Sequence, residues 1–90
     1  MTRTKWMTEG EPSDDEIRGE VLRILLLRGK GNSICPSEVA RSLFNPWREK
    51  MDRIRDVVAQ MVVDSEVEVT QRNQVVDIET VSGPIRIQLP

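Results

Sequence analysis

The stretch from Ile34 to Asp64, ICPSEVARSLFNPWREKMDRIRDVVAQMVVD, constrains the fold of this chain more than any other part of it. Trp47, Met51, Ile54, Val58 and Met61 follow one another at spacings of 4, 3, 4 and 3, which is one apolar seam along a helix. Lys50, Val57 and Val62 flank that seam. Upstream, Cys35 is placed as an N-cap with Pro36 at the first helical position and Glu38 at the third. Ile34 and Val39 are placed to staple that end from either side. Val39, Ala40 and Leu43 form the inner face of this helix, which is expected to end near Phe44. Asn45-Pro46 repeats the start signal, with asparagine as N-cap and proline at the first helical position. Two helices joined by one tight break are therefore expected.

A further helix precedes them. Ser13 with Glu16 is a capping box, and Asp14 and Asp15 add negative charge at the positive end of the helix. Ile17, Val21, Ile24, Leu25 and Arg28 keep a helical rhythm whose aliphatic members face a core. Leu22, Leu26 and Leu27 widen the apolar arc, so this helix is packed on more than one side or meets a second subunit. Gly29 is expected as a left-handed C-cap, with Gly31 and Asn32 continuing the turn. Ser33 and Ile34 then read as extended.

From Glu66 onward the period changes to two. Val67 and Val69 alternate with Glu68 and Thr70, and Ile85, Ile87 and Leu89 alternate with Arg86 and Gln88, as in two half-buried strands. The dozen residues from Arg72 to Gly83 are long for a hairpin loop, and Gln74 to Asp77 is a candidate for a short extra strand. Gly83-Pro84 is expected to re-enter the sheet at its edge, where proline is tolerated. The order predicts an α+β fold: a winged helix-turn-helix, three helices followed by a small antiparallel β wing. It divides into a flexible polar arm over residues 1–12 and a winged-helix domain over residues 13–90. Trp6 is either a tethered aromatic that folds back on the domain or a binding anchor.

Composition narrows the functions open to such a domain. Ninety residues make one small domain with a stability of roughly 5–8 kcal/mol. Thirteen basic and fifteen acidic side chains sum to −2, so a nucleic-acid partner needs a local basic patch rather than an overall field. A single cysteine suits a reducing cytoplasm. The two early basic residues are followed by no apolar run of a signal peptide, and the longest apolar run, Ile24 to Leu27, is far short of the ~20 residues of a membrane span. Histidine is absent, and with it the commonest general base and metal ligand. Phosphate-loop, nucleophile-elbow and paired-cysteine motifs are also missing, so neither catalysis nor a cofactor or metal is expected.

Two stretches have nucleic-acid chemistry. At the start of the third helix, Arg48, Glu49, Asp52, Arg53, Arg55 and Asp56 point outward with balanced charges, and Lys50 beside the seam adds one positive charge. A recognition helix meets base edges with this half. The alternative is a solvated face laced by Glu49–Arg53, Arg48–Asp52 and Asp52–Arg55 pairs. Arg72-Asn73-Gln74 has the chemistry of a wing tip, with an arginine for a minor groove and amides for phosphates, or of a plain polar turn with asparagine left-handed. Cys35 reads as a partly buried, inert N-cap thiol rather than a redox sensor.

The runs ICPSEVARSL, WR, VTQRNQVVD and GPIRI resemble an uncharacterised bacterial family, the domain of unknown function 3253, over roughly Asp15 to Leu89. The resemblance implies the winged-helix fold and a small cytoplasmic bacterial protein, and it lends no catalytic residue and no ligand. Members of that family are more basic around the wing, whereas this chain has Glu66, Glu68, Asp77 and Glu79 there. Two partners follow. One is double-stranded DNA, held by Arg48, Lys50, Arg53, Arg55, Arg72, Asn73 and Gln74. The other is a polypeptide, or a second copy of the chain, docked on the first helix and the sheet.

Overall fold

The computed structural model describes residues 12–90. The expected arm, and the placement of Trp6, lie outside the described residues except for Pro12, which is buried.

Helix α1 spans Asp14–Arg28 and opens with the expected capping box. The Glu16 N–H donates to Ser13 Oγ at 3.1 Å, and the Ser13 N–H donates to Glu16 Oε1 at 2.7 Å. Ile17, Val21, Ile24 and Leu25, the four aliphatic residues of the expected inner face, are all buried. Leu22 packs at the edge of the core, but Leu26 and Leu27 are 69% and 74% exposed. The helix end departs from expectation. Gly29 has positive φ (87°) but an extended ψ of 156°, so it is not a left-handed cap. The chain leaves directly for a strand, and the Asn32 side-chain amide donates to the Arg28 carbonyl at 2.6 Å, satisfying an acceptor of the last turn from outside.

Strand β1 (Ser33–Ile34) leads into α2, Pro36–Leu43. Cys35 stands as N-cap, Pro36 opens the helix, and Glu38 Oε2 accepts the Cys35 N–H at 3.1 Å. Val39 and Ala40 are fully buried. The restart at Asn45-Pro46 is not the one expected. That peptide bond is cis, and neither residue caps or begins a helix. Instead Arg48–Lys50 form a 3-10 turn, with the Lys50 N–H donating to the Trp47 carbonyl at 2.9 Å, and α3 runs Met51–Val63. Trp47 and Met51, the first two members of the seam, stay half-buried at the rim of the core. Burial does not draw this end inward, and it closes as the tighter turn common at helix starts. Ile54, Val58 and Met61 are fully buried, with Val57 beside them.

The sheet has four antiparallel strands in the order β1-β4-β2-β3, with β2 at Glu68–Gln71, β3 at Gln74–Val75 and β4 at Arg86–Gln88. Ser33 faces Gln88 across β1 and β4, and Val69 faces Ile87 across β2 and β4. Two expectations change here. The extra strand pairs back on β2, so the turn is only Arg72-Asn73, with φ of 55° and 68°. Positive φ at both central residues is the signature of the mirror-image turn that matches hairpin twist. Strand β4 is interior rather than an edge, and Pro84 is tolerated because it lies before the strand, at no ladder position. Thr70, expected on the polar face, is 6% exposed, since Val75 and Arg86 flank it from the neighbouring strands.

The segment between β3 and β4 is held down at two points. Asp77 Oδ1 accepts the Glu79 N–H at 2.9 Å and its carbonyl accepts the Val81 N–H at 2.9 Å, forming a turn that buries Ile78. The Gln71 side-chain amide donates to the Ser82 and Pro84 carbonyls at 2.8 and 3.0 Å. One apolar core joins all three helices to the inner face of the sheet, giving an α+β fold. Arg18 closes the far end, pairing with Asp64 and, at 2.7 Å, with Glu66.

Candidate nucleic-acid interface

The seven residues expected at an interface fall into three environments. Arg48 lies in the 3-10 turn with its guanidinium 4.6 Å from the centre of the Trp47 ring. Lys50 Nζ is 5.7 Å from the Phe44 ring. Arg41, which sequence reasoning passed over, brings its guanidinium over the same Trp47 ring at 5.2 Å from the last turn of α2. The segment RSLFNPWREK thus folds into a corner where three cations are set on two aromatic rings. Each ring presents a negative face to its cation while leaving the outer donors in water. Arg41 also donates to Ser37 Oγ at 3.4 Å, and neither Arg41 nor Arg48 pairs with a carboxylate among the described residues. A signal for Arg41 was present, since it precedes the aromatic break by one turn as Arg48 follows it. Helical seams alone do not show that the break folds the two arginines together.

The next turns of α3 are different. Arg53 pairs at 3.1 Å with Asp14 in the first turn of α1, so its charge is already engaged inside the domain. Arg55 lines an open cleft with Asp52, Asp56, Ala59, Ile78 and Glu79, where three carboxylates surround one guanidinium. The expected Arg48–Asp52 and Asp52–Arg55 ion pairs do not form among the described residues. The 3-10 winding turns Arg48 away from the α-helical register that would have set it above Asp52, and it rests on Trp47 instead. Part of the acidity expected at the wing is offset: Glu66 pairs with Arg18, whereas Glu68 accepts from the neutral Gln88 amide at 3.1 Å and keeps its charge.

At the hairpin tip Arg72, Asn73 and Gln74 are all exposed. Asn73 is left-handed as expected, but so is Arg72, where an L side chain with no local hydrogen bond of its own costs about 1 kcal/mol. Arg72→Asn is expected to raise stability by about 0.5–1 kcal/mol, read as a higher urea midpoint at unchanged slope. A lower midpoint would show that Arg72 makes a stabilising contact.

A second polar cluster lies on the sheet side. Arg86 of β4 donates to Ser33 Oγ at 2.9 Å, the Ser33 carbonyl at 2.8 Å and Cys35 Sγ at 2.9 Å. Glu38 pairs with Arg28. The CPSEVAR and GPIR stretches, whose Cys35 and Arg86 are 51 residues apart in the chain, therefore meet across β1 and β4. The profile of the family described as protein of unknown function (DUF3253) matches residues 14–90, which include both stretches. The chain belongs to that family. Comparison with curated proteins gave no match.

In this member of the family the Arg86 cluster has a structural task. Partial burial tends to raise the Glu38 carboxyl, but the Cys35 N–H, Arg28 and the nearby Arg86 outweigh it and hold the group below its ordinary 4.5. Glu20 is also held low, chiefly by Arg23, against partial burial and with help from Ser42. A depressed carboxyl stabilises the fold above its unfolded pKa, and that contribution is lost as pH falls through the folded value. Stability is therefore expected to decline below about pH 4.5, and Glu38→Gln to flatten that limb in part, leaving the slope due to Glu20. An unchanged acid limb in Glu38→Gln thermal melts would assign the decline elsewhere. Among the described residues no group of acidic, cysteine or histidine side chains is arranged to hold a metal ion, and no helix is long and apolar enough to cross a membrane.

Proposed function

We propose that the chain is a non-enzymatic winged-helix module that binds double-stranded DNA in the cytoplasm, with no cofactor. The corner Arg41–Trp47–Arg48–Lys50 at the start of α3 and the tip Arg72-Asn73-Gln74 are its contacts. The observation that carries this reading is the pair of guanidinium groups on Trp47, exposed at the helix start and matched by no carboxylate among the described residues. Arg72 adds support, because an arginine kept at a left-handed turn position costs stability that function must repay. The element order, with β1 pairing beside β4, supports a winged-helix reading, in which α3 would face the major groove and the β2–β3 hairpin the flanking backbone. Arg53 is removed from the expected contact set by its pairing with Asp14.

An amide-resolved NMR titration with a mixed-sequence duplex tests this at low and then at higher salt. Shifts at Arg41, Arg48, Lys50 and residues 72–74 that fade as salt rises support docking through phosphates. Their absence at low salt, where binding is strongest, refutes it.

A second reading has its own observation. Leu26 and Leu27 are adjacent, exposed residues on the last turns of α1, where solvent gains nothing from leucine. A protein-binding or self-associating module would use that end of α1. Broad shifts at Leu26 and Leu27 on raising protein concentration, with none on adding DNA, would favour it.

A further inference from the structure

Resting on the DNA-binding reading, we infer that this domain holds duplex DNA by its phosphates alone and does not read base sequence. The argument is the distribution of charge along the surface that would face the groove. Cations that pair with no carboxylate among the described residues stand at its two ends, Arg41 and Arg48 on the Trp47 ring and Arg72 at the hairpin tip. Between them, the turns of α3 that would reach base edges present Asp52 and Asp56, both exposed, with Glu79 of the Asp77 turn across the cleft. Arg55 is the cation of that cleft, and three carboxylates against one guanidinium leave it at −2. An arginine bidentate to guanine is the commonest specific contact, and Arg55 sits where neighbouring carboxylates compete for its donors. An aspartate can accept from a cytosine amino group, but carboxylates spaced i,i+4 on α3 repel the phosphates on either side of any groove they enter.

The cations at the ends are suited to phosphate. Trp47 splays Arg41 and Arg48 from the corner, and the hairpin holds Arg72 on a two-residue turn. Phosphate contacts fix register and orientation and carry no sequence information. The acidic centre keeps the helix shallow, so the duplex lies across the two ends.

Fluorescence anisotropy on the full chain with three 20-bp duplexes, one A·T-rich, one G·C-rich and one mixed, separates the outcomes. Affinities are expected to agree within about threefold, and log K against log salt to fall with a slope near −3.5, about −0.9 for each of Arg41, Arg48, Lys50 and Arg72. Asp52→Asn with Asp56→Asn is expected to tighten all three complexes together, and Arg55→Ala to weaken all three together by a similar factor. A preference of tenfold or more for one duplex, or a loss of affinity on Arg55→Ala confined to one duplex, overturns the inference while leaving DNA binding intact. No binding to any duplex at low salt overturns it together with the reading on which it rests.

Discussion

Ile54→Ala is expected to cost about 2–5 kcal/mol, a large share of what a chain of this size has in reserve. Ile54 is fully buried on α3, in the one core that joins the helices to the sheet. Truncating it removes methylenes from contact and leaves a cavity that the surrounding residues cannot fill. Ile17 and Val21 on α1, Val39 on α2 and Val69 and Ile87 in the sheet are themselves pinned by capping and strand pairing. In urea the midpoint should fall by about a quarter or more, with the variant largely unfolded in water if the loss is near 5 kcal/mol and total stability is no greater. Leu26→Ala is the matched control. Its side chain is 69% exposed, so the same type of truncation should cost under about 0.5 kcal/mol. Equal losses in the two variants would mean that Leu26 is covered in solution.

The helices were legible because their signals are local. Ser13 with Glu16, and Cys35 with Pro36 and Glu38, announce their helices within four residues, and the seam of α3 repeats often enough to outweigh any competing period. The sheet was less so. Strands β1 and β3 have two residues each, too few to show alternation, and the tip Arg72-Asn73 lacks the glycine that marks a mirror-image turn. Without that mark the hairpin reads as the start of a long loop. The start of α3 failed for a related reason: Asn-Pro is a cap followed by a first-turn proline in one context and a turn outside the helix in another. Only the position of Trp47 at the core rim separates them.

The candidate site shows the same limit. Arg48, Lys50 and Arg72 could be picked out as cations near a helix start and a turn, but their partners could not. Arg53 and Arg48 carry the same charge in neighbouring turns, yet one is bound to Asp14, 39 residues away, and the other lies on an aromatic ring. Arg41 belongs to the previous helix and joins the site only through the fold of the break. The contact of Cys35 with Arg86 likewise needs the pairing of β1 with β4. Charge counted along the chain puts three basic and three acidic residues on the outward side between Arg48 and Asp56. Charge placed in space divides the same surface into a cationic corner and an acidic cleft.

That division makes the effect of charge reversal specific to position. Arg48→Glu with Arg72→Glu is expected to weaken duplex binding by at least about 100-fold at 50 mM salt and to reduce the salt slope by about two. Each reversal removes one phosphate contact and adds a repulsive charge at an end of the surface. The fold should survive, because both side chains are exposed and neither pairs with a carboxylate among the described residues. The melting temperature is expected to stay within about 3 °C of the parent. Arg53→Glu reads the opposite way. It sets two carboxylates together where Arg53 and Asp14 now pair, so it should lower the melting temperature while changing affinity by less than about threefold. If Arg53→Glu abolished binding and the Arg48 and Arg72 reversals did not, the duplex would lie along the middle of α3, and the cationic corner would need another ligand.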